Sequence, residues 1–168
     1  MPSKLDTADT MLLEYKKGQR TSFKGIVIKG RPIINHYMSE SGIFKYIIPF
    51  LVAADANPNH LTLETSPLYE AVKSGDIESV KLLLFHGADV RKKPPSKKNV
   101  LSLAAELQYL DIVRMLLNTN QYSVREIDQA ITYVDELSND IGITRMQPIK
   151  EVLIHKLQEL TSQTALEE

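Results

Sequence analysis

The sequence lacks cysteine, long apolar runs and any marked excess of charge. Without cysteine in its 168 residues the chain has no disulfides, thiolate metal ligands or cysteine nucleophiles, which is compatible with a reducing compartment. The most apolar stretch, IIPFLVAA at 47–54, is far shorter than the about 20 residues that cross a bilayer, so we interpret it as buried helix. A net charge of -1 gives no global attraction to nucleic acid or anionic membrane. The first 20 residues offer no export signal, so we expect a soluble, cytoplasmic chain with one main domain.

Motifs for catalysis and for metal binding are also missing. The sequence contains neither a GxGxxG motif nor a Walker-type phosphate loop, and no two histidines have the i, i+4 spacing of paired metal ligands on a helix. Neighbouring carboxylates such as Asp135 and Glu136 are more typical of a solvated helix face than of an acid/base pair. We therefore predict no catalytic residues, no metal and no cofactor, and we predict that the chain is not an enzyme.

What the chain does contain is an internal repeat. Ala71 corresponds to Ala104 at a spacing of 33 residues. The segment GADV at 87–90 aligns with AADA at 53–56 at a spacing of 34 residues. Such a fixed period predicts a stack of similar helical units.

The clearest unit has well-marked helix boundaries. Ser66 is expected to cap a helix that begins at Pro67, where a missing N–H has no cost. Gly75 is expected to end that helix in a left-handed turn, and Ile77 to begin the second helix. Gly87 then permits the exit with a positive φ angle.

Residues 66–90, SPLYEAVKSGDIESVKLLLFHGADV, resemble the ankyrin repeat, whose pattern is T-P-L-H-x-A-A-x-x-G-H-x-E-I-V-K-L-L-L-x-x-G-A-D-V. A second copy, NVLSLAAELQYLDIVRMLL at 99–117, keeps the apolar positions but lacks the proline and both glycine-type turn positions. Residues 31–57 look like a degenerate first unit. The last unit opens with a capping box made by Ser123 and Glu126.

The resemblance implies an all-α ankyrin-repeat solenoid of about four helix-turn-helix units with an N-terminal helical extension. Residues 4–17 read as a helix that ends at Gly18, and SFKGIVIKG at 22–30 reads as a short extended segment. We expect the tail TSQTALEE to be frayed. The domains are predicted at 1–30 (helix and linker or cap), 31–160 (the stack, with units at about 31–57, 66–90, 99–120 and 123–160) and 161–168 (polar tail).

In proteins of this kind, partners bind mostly to the concave surface formed by the finger loops and the first helix of each pair. Here the fingers correspond to Asn57–Thr65 and Arg91–Lys98. Leu107 and Tyr109 are either an exposed apolar pair that contacts the partner or residues that tuck under a neighbouring helix. Carried over by position, the resemblance implies these partner-binding residues: Asn59, His60, Lys73, Ser74, Arg91, Lys93, Lys97, Lys98, Glu106, Leu107 and Tyr109.

The second finger, RKKPPSKK at 91–98, carries five positive charges in eight residues and no acid. Pro94 and Pro95 are predicted to stiffen its tip into an extended shape. A basic run of this length is solvated surface or a contact for an acidic partner; nuclear import or nucleic-acid binding is a further alternative, which the lack of interleaved aromatic residues disfavours. Between Glu126 and Asp140 the sequence has five acids and no Lys or Arg, and a surface with both signs favours a specific partner.

These features predict a monomeric, non-catalytic module that binds a protein partner, such as a host protein with an acidic patch, and binds neither nucleic acid nor membrane. The tail TSQTALEE resembles the C-terminal signals of bacterial type IV secretion substrates. One alternative is therefore a secreted effector or regulator, translocated into a host cell, that masks or inhibits a partner enzyme. Another alternative is an enzyme with a site in residues 1–30 or in the groove of the concave surface.

Overall fold

A computed structural model describes residues 14, 16–18, 22–28, 31–34, 51–61, 65–141 and 143–164. A short antiparallel pair, β1 (Val27–Ile28) and β2 (Arg31–Pro32), precedes the helices. The described part has the predicted all-α repeat architecture. Its bounded helices are α1 (Pro67–Ser74), α2 (Ile77–Phe85), α3 (Val100–Glu106), α4 (Leu110–Leu117), α5 (Val124–Ile141) and α6 (Ile143–Thr164).

The helices form three consecutive pairs that stack side by side. Within each pair the first helix contacts the second, so α1 packs on α2, α3 on α4 and α5 on α6. Between pairs, α3 lies against both α1 and α5, and α4 lies against both α2 and α6. We call α1, α3 and α5 the inner row, and α2, α4 and α6 the outer row.

The repeated apolar positions form the core between these pairs. Ala71 and Ala104 are fully buried, as are Val80 and Val113, so the spacing of 33 residues is confirmed. Each square ångström of apolar surface removed from water contributes about 25 cal/mol. Because no unit can bury its own apolar faces, each unit depends on its neighbours.

Helix starts in the inner row are fixed by side-chain caps. The Ser66 hydroxyl accepts from the backbone N–H three residues on at 3.3 Å, and Asn99 does the same with its side-chain carbonyl oxygen at 2.7 Å. Ser123 and Glu126 form the predicted capping box, since the Ser123 N–H donates to the Glu126 carboxylate at 2.8 Å. Such caps contribute about 1 kcal/mol each.

The turns keep their left-handed backbone even where glycine is missing. Gly75 and Gly87 have φ angles of 68° and 81°. The equivalent residues of the next unit, Gln108 and Asn120, have φ angles of 60° and 54°. The Tyr109 N–H still donates to a carbonyl of the preceding helix at 2.9 Å, so the helix-ending hydrogen bonds hold these residues in a conformation that favours glycine.

Replacing Gln108 with glycine is expected to raise the free energy of unfolding by about 1 kcal/mol, because a left-handed conformation costs an ordinary side chain about 1–2 kcal/mol. The measurement is urea denaturation of the whole chain. Gln129→Gly is the matched control, since Gln129 is an exposed residue inside α5 and its change to glycine costs helix stability. Equal destabilisation by both changes would contradict the expectation.

The first unit has a different register from the one predicted. Asp55 has a φ angle of 63° and takes the place that Gly87 has in the next unit. Two residues later, the Asn57 side chain accepts from a backbone N–H at 2.8 Å, as the Asp89 side chain does at 2.9 Å. The first repeat therefore aligns at a spacing of 32 residues, and the spacing of 34 is wrong there.

The predicted extended segment packs on the first unit. It contributes β1, and Phe23 just before it is fully buried and donates its N–H to the Ala54 carbonyl at 2.6 Å. Gly18, at the predicted end of the N-terminal helix, has a φ angle of 71°. Residues 4–13 of the predicted N-terminal helix and residues 35–50 of the predicted first unit lie outside the described residues.

The C-terminal helix is longer than predicted. Helix α6 continues through Thr164, so residues 161–164 are helical where we expected a frayed tail. The hydroxyls of Thr161 and Ser162 donate to carbonyls one turn earlier at 3.0 and 2.8 Å, which lets these polar residues stay within the helix. Residues 165–168 lie outside the described part.

Candidate functional site

No helix in the described part of the chain is long and apolar enough to cross a membrane. The same residues contain no group of three or more histidine, aspartate or glutamate side chains that could hold a metal ion. The predicted partner-binding residues lie on the helix rows and the two fingers.

The tip of the second finger is a turn. The Lys97 N–H donates to the Pro94 carbonyl at 3.0 Å, and the Lys93 ammonium donates to the Lys97 carbonyl at 2.7 Å. Pro95 occupies the second position of this turn, where its fixed φ angle is favourable. The expected extended tip is therefore wrong, because the prolines close the finger into a turn.

Two of the predicted partner-binding residues hold the fingers to the stack. The Asn59 side-chain amide donates to the Gly87 carbonyl at 2.9 Å and accepts from the Asp89 N–H at 2.7 Å. Arg91, the equivalent residue of the second finger, donates from its guanidinium to the Gln121 carbonyl. Asn59 and Arg91 each join one finger to the next turn, and a partner would have to share or break these contacts.

Arg91 makes a second contact, with Glu126 at the start of α5. Its Nε lies 3.6 Å from a Glu126 carboxylate oxygen. Burial acts to raise the pKa of Glu126, but the hydrogen bonds from Ser123 and the Arg91 charge outweigh it and the pKa is lowered. Of the five acids predicted to give the surface a negative side, Glu126 is thus ionised and already paired with a cation of the chain.

Lys98 joins the second finger to two helices of the inner row. Its ammonium lies 2.5 Å from the Glu106 carboxylate and 2.5 Å from the Tyr133 hydroxyl, and 4.9 Å from the centre of the Tyr133 ring. The hydrogen bond to Glu106, which has the larger effect, and the hydrogen bond to Tyr133 raise the pKa of Lys98. Two predicted binding residues, Lys98 and Glu106, therefore pair with each other and anchor the finger.

Leu107 and Tyr109 differ in exposure. The Tyr109 ring lies against Gly75 of the preceding unit, so close that a Cβ on Gly75 would be 2.9 Å from the ring. For Tyr109 the tucked alternative is therefore the one that the structure has. Leu107 is 37% exposed and remains at the surface.

The remaining predicted residues are mostly open to solvent. Lys73 and Lys97 are exposed, and His60 is half-buried. The Ser74 hydroxyl is turned back onto its own helix, where it donates to the Glu70 carbonyl at 2.9 Å. Ser74 therefore offers a weaker contact than its position suggested.

Sequence reasoning missed one surface residue and one anchor. Lys92 is exposed within the basic run and was left out, although its charge was the available signal. No neighbouring residue in the sequence indicates a role for Tyr133, because its contact with Lys98 depends on the connection between α4 and α5. Only residues 118–123 separate α4 from α5, against residues 86–99 between α2 and α3, and this short connection brings α5 under the finger.

Comparisons with known proteins agree with this architecture. The family model described as ankyrin repeats (3 copies) matches residues 35–128, which is more than half of the chain. An ankyrin repeat protein of fowlpox virus (strain NVSL), FPV014, is 31% identical over 111 residues, covering 63% of this chain and 25% of that protein. An ankyrin repeat protein of Acanthamoeba polyphaga mimivirus, L371, is 28% identical over 106 residues, covering 61% of this chain and 14% of that protein. The matched region is thus a quarter or less of either relative, and this chain belongs to the ankyrin repeat family.

Proposed function

We propose that this chain is a non-catalytic protein-interaction module that holds a protein partner against its second finger and inner helix row. The observation that supports this most directly is that some basic residues of the second finger are used within the chain and others are free. Arg91, Lys93 and Lys98 hold the finger in place, whereas Lys92 and Lys97 are exposed and make no side-chain hydrogen bond or ion pair within the described residues. A finger built this way presents charge from a fixed position.

The anchored finger reduces the entropic cost of binding. The Arg91 contact at its base, the turn at its tip and the Lys98 contact with Glu106 and Tyr133 order the finger before a partner arrives. A partner then orders few further side chains, so more of the contact energy appears as affinity.

The charge of the free lysines favours an acidic segment on the partner. Lys92 and Lys97 lie in the second finger, and Lys73 is exposed at the end of α1 in the inner row. On α5, Asp128 and Glu136 are exposed and add negative charge to the inner row. Complementary charges of this kind raise the association rate and exclude wrong partners.

The test compares two double charge reversals after a partner has been isolated by affinity capture on the wild-type chain. Lys92→Glu with Lys97→Glu is expected to weaken binding by about tenfold or more, measured by isothermal titration, since losing two complementary charges also introduces repulsion. Lys81→Glu with Arg114→Glu is the matched control, because these exposed residues lie on the outer row and change the net charge equally. The control is expected to bind like the wild type.

Equal affinity of the finger variant and the wild type would show that the finger does not bind the partner. Raising the salt concentration provides an independent check, since affinity supported by exposed charges falls as salt screens them. The effector alternative is addressed with the same partner: a regulator that masks an enzyme lowers the partner's activity on mixing, and an adaptor leaves it unchanged.

A further inference from the structure

A concave feature lies among the helix-connecting turns. The turns that connect α1 to α2 and α3 to α4 enclose an open groove of about 280 Å³. We call it the turn groove and define it by Ile77, Tyr109, Leu110 and Asp111, which line it together with parts of both turns. The turn groove and the second finger share no residue, since none of Arg91–Lys98 lines it.

The walls of the turn groove are largely apolar and partly open to water. Ile77 is 42% exposed at the first position of α2, and Leu110 is half-buried at the first position of α4. The Tyr109 ring lies beside them over Gly75, whose missing side chain leaves the space that the ring occupies. An isoleucine left this exposed beside an aromatic ring is a candidate contact for an apolar side chain of a partner.

The rim of the turn groove is acidic. Asp111 lines the groove and Glu78 follows Ile77, and both carboxylates are exposed. Neither of them makes an ion pair within the described residues, and no lysine or arginine is among the lining residues. Acidic residues in a first helical turn are stabilised by the helix dipole, which accounts for their position but does not account for the exposed Ile77 between them and the ring.

We propose that the turn groove is a second docking site, which takes a partner segment carrying one apolar side chain flanked by lysine or arginine. The apolar side chain fits between Ile77 and Tyr109, and the flanking cations face Glu78 and Asp111. This site has the opposite charge preference from the second finger. The module can therefore bind an acidic segment and a basic segment at different places.

The test uses NMR titration of the full chain, labelled with ¹⁵N, against three capped pentapeptides: Gly-Lys-Phe-Lys-Gly, Gly-Glu-Phe-Glu-Gly and Gly-Lys-Ser-Lys-Gly. The first peptide is expected to shift the amide signals of Gly75, Ile77 and residues 108–111. The affinity read from these signals is expected to be at least about fivefold higher for the first peptide than for either of the others. A peptide of this size binds weakly, so the titration extends to about 10 mM.

Variants separate this site from the second finger. Ile77→Ser and Asp111→Asn change exposed residues, so the fold is retained, and each is expected to weaken the first peptide at least about threefold. The Lys92→Glu, Lys97→Glu variant is expected to bind it as the wild type does. Equal binding of the acidic peptide at the turn groove, shifts from the first peptide that map outside the turn groove, or no shifts from the first peptide would each overturn the proposal while leaving the finger assignment untouched.

Discussion

Replacing Gly75 with alanine is expected to lower the free energy of unfolding by about 2–5 kcal/mol. Two costs add at this position. The φ angle of 68° is left-handed, which costs an ordinary side chain about 1–2 kcal/mol. The new Cβ would also lie 2.9 Å from the Tyr109 ring, and relieving such overpacking typically costs about 1–3 kcal/mol. Urea denaturation followed by circular dichroism measures the sum.

Gly87 offers a control that separates the two costs. Its φ angle of 81° is also left-handed, but a Cβ there would meet no atom within 4 Å. Gly87→Ala should therefore show the backbone cost alone, about 1–2 kcal/mol. In a Tyr109→Leu background the effect of Gly75→Ala should shrink toward that value, because the ring is gone. If Gly75→Ala and Gly87→Ala cost the same in the wild-type background, the Tyr109 contact is not as close as described.

Replacing Leu83 with alanine is expected to destabilise the chain by about 2–5 kcal/mol, the range for a buried leucine whose loss leaves a cavity. Leu83 is fully buried in α2, and its carbonyl also accepts the Ala88 N–H at 2.9 Å where the chain leaves the helix. In a stack of this kind each unit is stabilised by contacts with its neighbours, so a cavity in α2 weakens the whole described stack. The measurement is again the free energy of unfolding in urea.

Phe85 is the matched control for Leu83, since it lies two residues further along the same helix. It is 81% exposed, and the centres of its ring and the His86 ring lie 5.2 Å apart in an edge-to-face arrangement. Phe85→Ala should change stability by less than about 0.5 kcal/mol, as is usual for surface substitutions. A large loss for Phe85→Ala, or a small one for Leu83→Ala, would mean that the faces of α2 are assigned the wrong way round.

The helix boundaries could be predicted because their signals are local. Ser66, Pro67 and Gly75 determine where α1 begins and ends, through a cap, a fixed φ angle and a left-handed turn. The capping box of Ser123 is read from two residues three apart. In the first unit the local signal was misleading, because the alanine-aspartate pair at 54–55 matches the later motif in letters but lies two residues out of register in the backbone.

The candidate site was harder to predict, because its contacts join residues that are far apart in the sequence. Lys98 and Tyr133 are 35 residues apart, and their contact depends on the short connection before α5. Likewise, the charge of Arg91 suggested partner binding, whereas its guanidinium is used within the stack. Charge and position on a finger identify a surface, but they do not show which cations of that surface remain free.

The two finger contacts use different chemistry. Asn59 joins its finger to the next turn through a neutral amide, and Arg91 joins its finger through a guanidinium that also faces the Glu126 carboxylate. Salt screens only the second pair, and acid weakens it as pH falls through the lowered pKa of Glu126. The Asn59 contact is therefore expected to be insensitive to salt and acid, whereas both should weaken the Arg91 contact with Glu126.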